Sequence, residues 1–532
     1  MSFKKSNQKS QPDLFATALF SLPERERRYM EDELSWHNEF YRNVLLNIDE
    51  EILRPLFVDG NMGAPTKQLR ILIAMRILKE GRGCSDEQLY ENVRFNLVWR
   101  QAVGLFNIND ECPSIDSYYK LFRRIAEYEQ NNPEHVNLYE KIYQDLTAKQ
   151  IKKYKIAGRT IRMDSKLIGS NIAWFSRYEI IHETFRMQVT EEEVLRISDQ
   201  LYRQKALDFL AEDASKTVYR SDDETLGQRL LDLGIVISHI LAMRGESEVS
   251  LLNRVFHEQY DVDDDGNITV QDKKLISASS VQNPHDPDAA YRCKGGKKVK
   301  GNSTNITETC DDDEKPNLIT DVLVKPATAA DNGFMDEAVK ETKKVVEGKV
   351  DKVRVDGAYQ SKENRELASD EENGFELVSS GLQGKPSRFD LELQEDGSLE
   401  VTDKQTAEVI TATKVRSTSG RLLPSGRKKD GQWKIAIVNS KGKKSYRYFD
   451  NEAIERSQNR QRMETIPWEE RKKRNNVEAT IFQYCFLTRN NKTRYRGLFK
   501  QTLQALARCA WINMRRLFLF DVKTANLALQ KA

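Results

Sequence analysis

Three carboxylates, far apart in the chain, stand where side chains can do chemistry. The first closes the run Arg159 to Asp164 (RTIRMD), which alternates as a strand and stops on an acid followed by Ser165. The second lies in KVRVDGAYQSKENR, Lys352 to Arg365, where the β-branched run around Val353 and Val355 ends at Asp356. Gly357 lets the backbone turn there, and Ser361 is placed to cap a helix opening with Glu363. A carboxylate at the carboxyl end of a strand, on a glycine turn, points out of the sheet; Asp-Gly is also an ordinary turn dipeptide. The third acid is Glu478, in the helical pattern NNVEATIFQYCF. It is the last acid before Asp521, while Arg489, Lys492, Arg494, Arg496, Lys500, Arg508, Arg515 and Arg516 are all basic. A solvated face normally intersperses acids among its bases, so this segment reads as a surface for nucleic acid.

Three acids on a mixed α/β core can hold two divalent cations about 3.5–4 Å apart, the clamp for in-line phosphodiester attack. Hard oxygen ligands suit Mg2+, with Mn2+ as substitute, rather than zinc. One ion would activate the water or 3′-hydroxyl, and the other would stabilise the departing oxygen.

The elements that must position these acids follow from pattern. With 532 residues the chain has room for two to four domains, and 31% charged against 39% hydrophobic residues describes a soluble, ordered protein. The net charge of +2 decides nothing, because the charges are segregated. Six scattered cysteines with no CxxC pair argue against a disulfide framework or a zinc site and suit a reducing compartment. The polar start MSFKKSNQKSQ is not followed by an apolar signal core, and no run reaches membrane-spanning length. A cytoplasmic protein is therefore expected, with no membrane partner.

Residues 12–155 read as helical, with Trp36, Phe40, Val44 and Leu45, then Leu69, Leu72, Ile73 and Leu78, at helical spacing. Gly81 and Gly83 end the second helix, Ser85 and Gln88 form a capping box for the next, and a further helix begins near Ser114. That helix carries Tyr118, Tyr119, Lys120, Arg123 and Arg124. It suits a major-groove reader, or a plain bundle whose tyrosines pack inward. Residues 176–258 return to helix, and Trp174 and Phe175 before them read as core. In 261–272 (DVDDDGNITVQD) the acids match a calcium-loop register, but the last ligand is Asp272 rather than glutamate and no second copy exists to pair with. An acidic surface turn is the plainer account. From 285 the chain is loop-like with a basic run, Arg292, Lys294, Lys297, Lys298 and Lys300, fit for a phosphate backbone. Strands follow at 303–308 and 318–324, a helix at 331–346, and another strand at 375–379. A small β insertion then runs from 381 to about 450, and a basic helix from Arg456 to Arg462 precedes Arg471 to Arg474.

In order and type these blocks resemble a known family. The chain is similar to the DDE transposases of bacterial insertion sequences, in the branch with an InsH-like amino-terminal helical domain. The stretch 49–125, with PTKQLRILIAMRILK and NLVWRQAVGL, resembles that domain, and RMDSKLIGSNIA resembles the first-aspartate block. NPHDPDAAYRCKGGKKVKG and NITETCDDDEKPNLITDV resemble the central strands, VRVDGAYQSKENRE the second-aspartate block, and RNNVEATIFQ with RYRGLFK the glutamate block.

The resemblance implies an α/β fold with an RNase H-like mixed-sheet catalytic core and a β insertion, preceded by an all-α domain. The expected segments are 1–155 for DNA binding, 156–380 for the first part of the core with a helical insertion at about 176–290, 381–465 for the β insertion, and 466–532 for the closing helices. It further implies Mg2+-dependent cleavage and transfer of strands at transposon ends, with Asp164, Asp356 and Glu478 as the catalytic, metal-binding triad. Double-stranded DNA is the implied partner, and a homodimer the implied synaptic complex. In this family a tyrosine and an arginine precede the glutamate and a lysine follows it. Here Arg474 holds the arginine place, Arg471 stands for the tyrosine and Cys485 for the lysine, whose work falls to Arg489, Lys492 or Arg494. The expected DNA-contacting set is Tyr119, Lys120, Arg123, Arg124, Lys297, Lys298, Arg471, Arg474, Arg489, Lys492, Arg494 and Arg496. The alternative is a transposase-derived DNA-binding protein that no longer cuts.

Overall fold

Ser85 and Gln88 form the reciprocal capping box that their spacing predicts, each side chain bonding the other residue's backbone N–H. Such local signals set most helix limits in the computed structural model, which describes residues 22–58, 68–134, 137–245, 250–311, 314–379, 381, 387–415, 432–438 and 444–531. The helical pattern expected at 12–21 and parts of the β insertion lie outside the described residues.

The chain opens with α1 (Glu24–Glu31), α2 (Trp36–Asn43), α3 (Leu69–Arg82), α4 (Asp86–Phe95), α5 (Leu97–Ala102), α6 (Ile115–Asn131) and α7 (Leu138–Tyr154). Next come β1 (Thr160–Gly169) and a run of helices: α8 (Arg177–Gln188), α9 (Glu191–Leu195), α10 (Gln200–Ala211), α11 (Ala214–Arg220), α12 (Asp223–Arg244) and α13 (Leu251–Gln259). Strands β2 (Tyr260–Val262), β3 (Ile268–Val270), β4 (Ala290–Lys294), β5 (Lys297–Thr309) and β6 (Ile319–Pro326) precede α14 (Met335–Val345). After β7 (Lys352–Val355), α15 (Lys362–Ala368) and β8 (Glu376–Ser379) come five short strands: β9 (Phe389–Leu393), β10 (Leu399–Asp403), β11 (Glu408–Val415), β12 (Gln432–Val438) and β13 (Lys444–Phe449). The helices α16 (Asn451–Thr465), α17 (Trp468–Cys485) and α18 (Leu498–Lys531) end the chain.

Two compact units result. The first takes Met1–Arg159, Asp164–Val350 and Glu478–Ala532, and the second takes Thr160–Met163 and Asp351–Val477. Strand β1 passes from the second to the first between Met163 and Asp164, and α17 between Val477 and Glu478.

In the first unit the amino-terminal helices share one core with β5, β6 and α18. Helix α3 is buried on nearly every side, and Gly81 is the reason α18 can cross it: a Cβ there would stand 2.3 Å from Trp511. The antiparallel pairs β4–β5 and β5–β6 belong to this unit. The helices between β1 and β2 enclose a separate core around Ile181, Phe185, Leu233, Ile237 and Phe256. In the second unit β1, β7 and β8 run parallel, and β9 to β13 form the expected antiparallel β insertion. Its inner face, including Leu391, Val401, Trp433 and Ile435, packs with Ile454 of α16. The protein is therefore mixed α/β with a helical amino-terminal region.

Several expectations need correction. The first strand does not end at Asp164 but runs on to Gly169, because Gly301 of β5 brings backbone against it where a Cβ would meet the Ile168 carbonyl at 2.2 Å. The basic run from 292 is no loop: β4 and β5 form a hairpin through Gly295 and Gly296, whose φ angles of 57° and 76° only glycine adopts freely. The calcium-like stretch is a β2–β3 hairpin with no helix after its loop, and the Asp263 carboxylate is spent on the backbone N–H groups of Asp265 and Asn267. Trp174 is not core but 49% exposed. One run does reach spanning length: α12, 22 residues, is long and apolar enough by composition to cross a membrane. Its Leu233, Val236, Ile237 and Ile240 pack into the helical core.

Candidate active site

The second unit shows how its strands hold α17. In the parallel register Thr160 pairs with Lys352, Ile161 with Val353, and Arg162 with Arg354. Ile161, Met163, Val353 and Val355 are fully buried, which sends the alternate side chains, Arg162 and Arg354, to the other face. These two arginines are themselves buried, at 4% exposure each. Arg162 donates to the Lys473 carbonyl at 2.9 Å, and Arg354 donates to the Glu470 carbonyl at 2.9 Å while pairing with the Glu470 carboxylate. A bond to a charged donor in a buried setting contributes about 1.5–3 kcal/mol, so the clamp holds the first turns of α17 against both strands.

Asp356 follows β7 directly and caps a 3-10 turn, its carboxylate accepting from the Ala358 N–H at 2.8 Å. The buried Arg474 guanidinium of α17 stands 3.8 Å from the other Asp356 oxygen. Glu478 lies four residues further along the same helix, one turn on, and is exposed. Asp164 is half-buried and accepts from the Ser165 N–H at 2.9 Å. The Ser165 hydroxyl donates to Asp331 at 2.7 Å, and Asp331 also pairs with Lys294 at 3.0 Å, tying β1 to the basic hairpin. Among the described residues no group of three or more His, Cys, Asp or Glu side chains gathers in a way that could hold a metal.

In the first unit the later turns of α17 are fixed by two further arginines. Arg516 donates to the fully buried Glu308 at 2.7 Å and to the Thr480 hydroxyl at 2.6 Å, and Thr480 donates to the same carboxylate. Arg508 donates to the carbonyls of Gly81 and Gln483, both at 2.7 Å. Part of the acid-free basic segment is thus internal, its counter-charges and acceptors supplied from distant sequence.

Residues 28–124 match the model of the transposase domain (DUF772), and residues 438–518 match that of the transposase DDE domain. Two separate transposase models, neither spanning half of the chain, thus match it in the order expected of an insertion-sequence DDE transposase. The second match contains Arg474, Glu478 and Lys492, while Asp164 and Asp356 lie outside both spans. No curated protein and no solved structure matches the chain.

The chain divides its expected DNA-contacting residues unevenly. On α6, Tyr118, Phe122 and Ile125 face inward, as a bundle requires, while Tyr119, Lys120 and Arg123 are exposed. Lys120 pairs with Asp116 at 2.6 Å, and Arg124 lies 5.2 Å over the Phe57 ring. Arg494 is engaged inside the first unit, with Glu80 at 3.2 Å and the Cys84 carbonyl at 2.5 Å. Arg496 donates to the Asn171 carbonyl at 2.8 Å, and Arg489 and Lys492 are exposed on the loop that pairs with Gly169. Arg471 lies on α17 beside Lys472, and Lys297 and Lys298 are exposed at the start of β5. Two clamping residues, Arg162 and Arg354, went unread, although each stands two residues before an aspartate in the same R-x-D pattern.

Proposed function

We propose that this transposase binds the ends of an insertion sequence and cleaves and transfers their strands, with Asp164, Asp356 and Glu478 as the metal-carrying carboxylates. The observation that carries the reading is the pairing of Arg162 with Arg354, each two residues before one of the aspartates, with both guanidinia fastened to the helix that bears Glu478. The contact of Arg474 with Asp356, one turn before Glu478, supports it independently.

By chemical type the donors suit a hard cation, although among the described residues they do not gather into one cluster. All three groups are carboxylates, and none is fully buried, so each can exchange water for an ion. A pair of Mg2+ ions, replaceable by Mn2+, would supply the charge that activates a water or 3′-hydroxyl and neutralises the leaving oxygen. The chain's own part is positional. Arg474 orients Asp356, the arginine clamp holds the helix that presents Glu478, and the exposed bases of α6, β5 and the loop after α17 take up phosphates. The core so formed is RNase H-like in this reading, with 1–155 as the DNA-binding segment and 381–465 as the insertion. Joining two ends requires at least two copies in the active complex, and a DNA substrate places the protein at the nucleoid.

The test uses the full chain and the DNA flanking its gene. Asp356→Ala keeps end binding in a mobility-shift assay but lowers Mg2+-dependent nicking by at least about a thousandfold, the scale expected when a positioned charge at the reacting phosphate is lost. Nicking that survives the change overturns the assignment. A wild-type protein that binds the ends and does not cut in Mg2+ returns the reading of a silent, transposase-derived binder.

A further inference from the structure

The transposase reading gives phosphates to the bases of β5 and of the loop after α17, but no use to the exposed indole in the cleft they line, in the first unit, one residue past Asp164. The cleft is lined by Ser165 and Lys166 of β1, by Lys297, Lys298 and Lys300 of β5, by Trp174, and by Lys492 of the loop after α17, and encloses about 540 Å³. None of Lys166, Lys297, Lys298, Lys300 and Lys492 makes an ion pair with a described residue. Five ammonium groups without an ion pair around one opening, with Glu179 the acid whose charge reaches Lys300, cost stability unless an anion visits it. Lys300 makes the point sharply: it is 9% exposed, its ammonium is pushed below the usual lysine range by burial, and its nearest acceptor is the Phe175 carbonyl at 3.4 Å.

The second component is aromatic. Trp174 is 49% exposed at the cleft, with the Lys300 ammonium 5.1 Å from its ring centroid. A large indole left open to water, beside cations that would bind phosphate, is the combination by which proteins hold a nucleobase and its backbone together. The volume decides which form of nucleic acid fits. It falls in the range of sites for small ligands, about 300–1,000 Å³, enough for one nucleotide and too small for a duplex.

We propose that this cleft holds a single unpaired nucleotide of the DNA, its base stacked on Trp174 and its phosphates on Lys297, Lys298 and Lys492. The inference rests on the reading of the chain as a DNA-processing enzyme, but concerns binding and not cleavage. It assigns Trp174 a positioning role for DNA adjoining the strand of Asp164.

The full-length protein is titrated, in EDTA so that no cleavage occurs, against a labelled blunt duplex and the same duplex with a three-nucleotide 3′ overhang. Wild type is expected to bind the overhang more tightly. Trp174→Ala should weaken overhang binding about tenfold, the loss of one base–aromatic stack, leaving the blunt duplex unchanged, and Trp174→Phe should keep most of the preference. Lys297→Gln with Lys298→Gln should weaken overhang binding and flatten its salt dependence. The proposal is overturned if wild type shows no preference, if Trp174→Ala leaves the preference intact, or if it weakens both duplexes equally while Trp174→Phe does the same. Loss of nicking in Asp356→Ala has no bearing on any of these outcomes, so the two readings fail separately.

Discussion

Glu140 shows how far a single side chain can depart from its ordinary chemistry in this fold. Burial, with the negative charges of Glu341, Glu337 and Glu129, pushes its carboxyl up to about 7 from an ordinary 4.5. Gln144 bridges it to Glu341 by donating to Glu140 at 3.1 Å and to Glu341 at 3.0 Å. The neighbouring Asp321, 2% exposed on β6, is raised well above its usual range by burial and by the same acids. The folded chain therefore keeps protons here that the unfolded chain gives up. The resulting stability is fully present below pH 4.5 or so and is lost as pH rises through about 7. Urea unfolding of the wild type should show a midpoint that falls between pH 5 and pH 8, and Glu140→Gln should flatten that slope. An equally steep slope in the variant would mean that other groups set it.

Among the elements, β1 and β5 depend most on one small residue. Gly301 sits where a Cβ would come within 2.2 Å of the Ile168 carbonyl, 2.7 Å of the Ser170 nitrogen and 2.8 Å of the Gly169 Cα. These are backbone atoms and cannot swing aside, unlike the end of a flexible side chain. Gly301→Ala must push the strands apart, breaking the Ser170 N–H bond to the Lys300 carbonyl, now 2.9 Å. The expected cost is about 1–3 kcal/mol, the usual penalty for overpacking. Hydrogen exchange offers a direct check: the Ser170 amide should lose protection in the variant before the amides of α3 do. Unchanged protection at Ser170 would show that the strands accommodate the methyl group. The same pairing carries Lys300 and fixes the end of the strand that bears Asp164.

At the scale of the molecule, buried arginines fasten α17 alongside its own buried apolar residues, Val477, Ile481 and Tyr484. Arg162 and Arg354 hold the front of α17 in the second unit, and Arg508 and Arg516 hold its rear in the first. Removing one partner of a buried pair leaves the other charge without compensation, at about 3–5 kcal/mol. Arg516→Ala takes the cation from Glu308, which has no exposure of its own but keeps the Thr480 hydroxyl as a donor, and chemical denaturation should register a loss toward the lower end of that range. Replacing both, Arg516→Met with Glu308→Met, should recover much of it, because two apolar groups of similar volume leave no charge to desolvate. A double variant no better than the single one would place the cost in packing rather than charge.

Much of the local structure, together with the transposase resemblance, was legible in the order of the residues. Short-range signals, such as the Ser85–Gln88 box, the Ser114 cap and the alternation leading to Asp356, work over a few residues and need no partner. The transposase blocks could be recognised for the same reason, since each is a contiguous string with its own strand, turn or helix. What only the folded chain decided was pairing over long separations. Which bases are already engaged depended on Glu80 and Glu308, which lie hundreds of residues from Arg494 and Arg516: Glu80 ties down the exposed Arg494, and Glu308 holds the largely covered Arg516. The extension of β1 past Asp164 depended on the bare backbone of Gly301, and the half-open setting of Trp174 on its tertiary surroundings, with the Lys300 ammonium over its ring. Hydrophobic patterning reports what a residue prefers to do with water. Burial of a charge is settled by the partner it meets, and a linear pattern does not contain that partner.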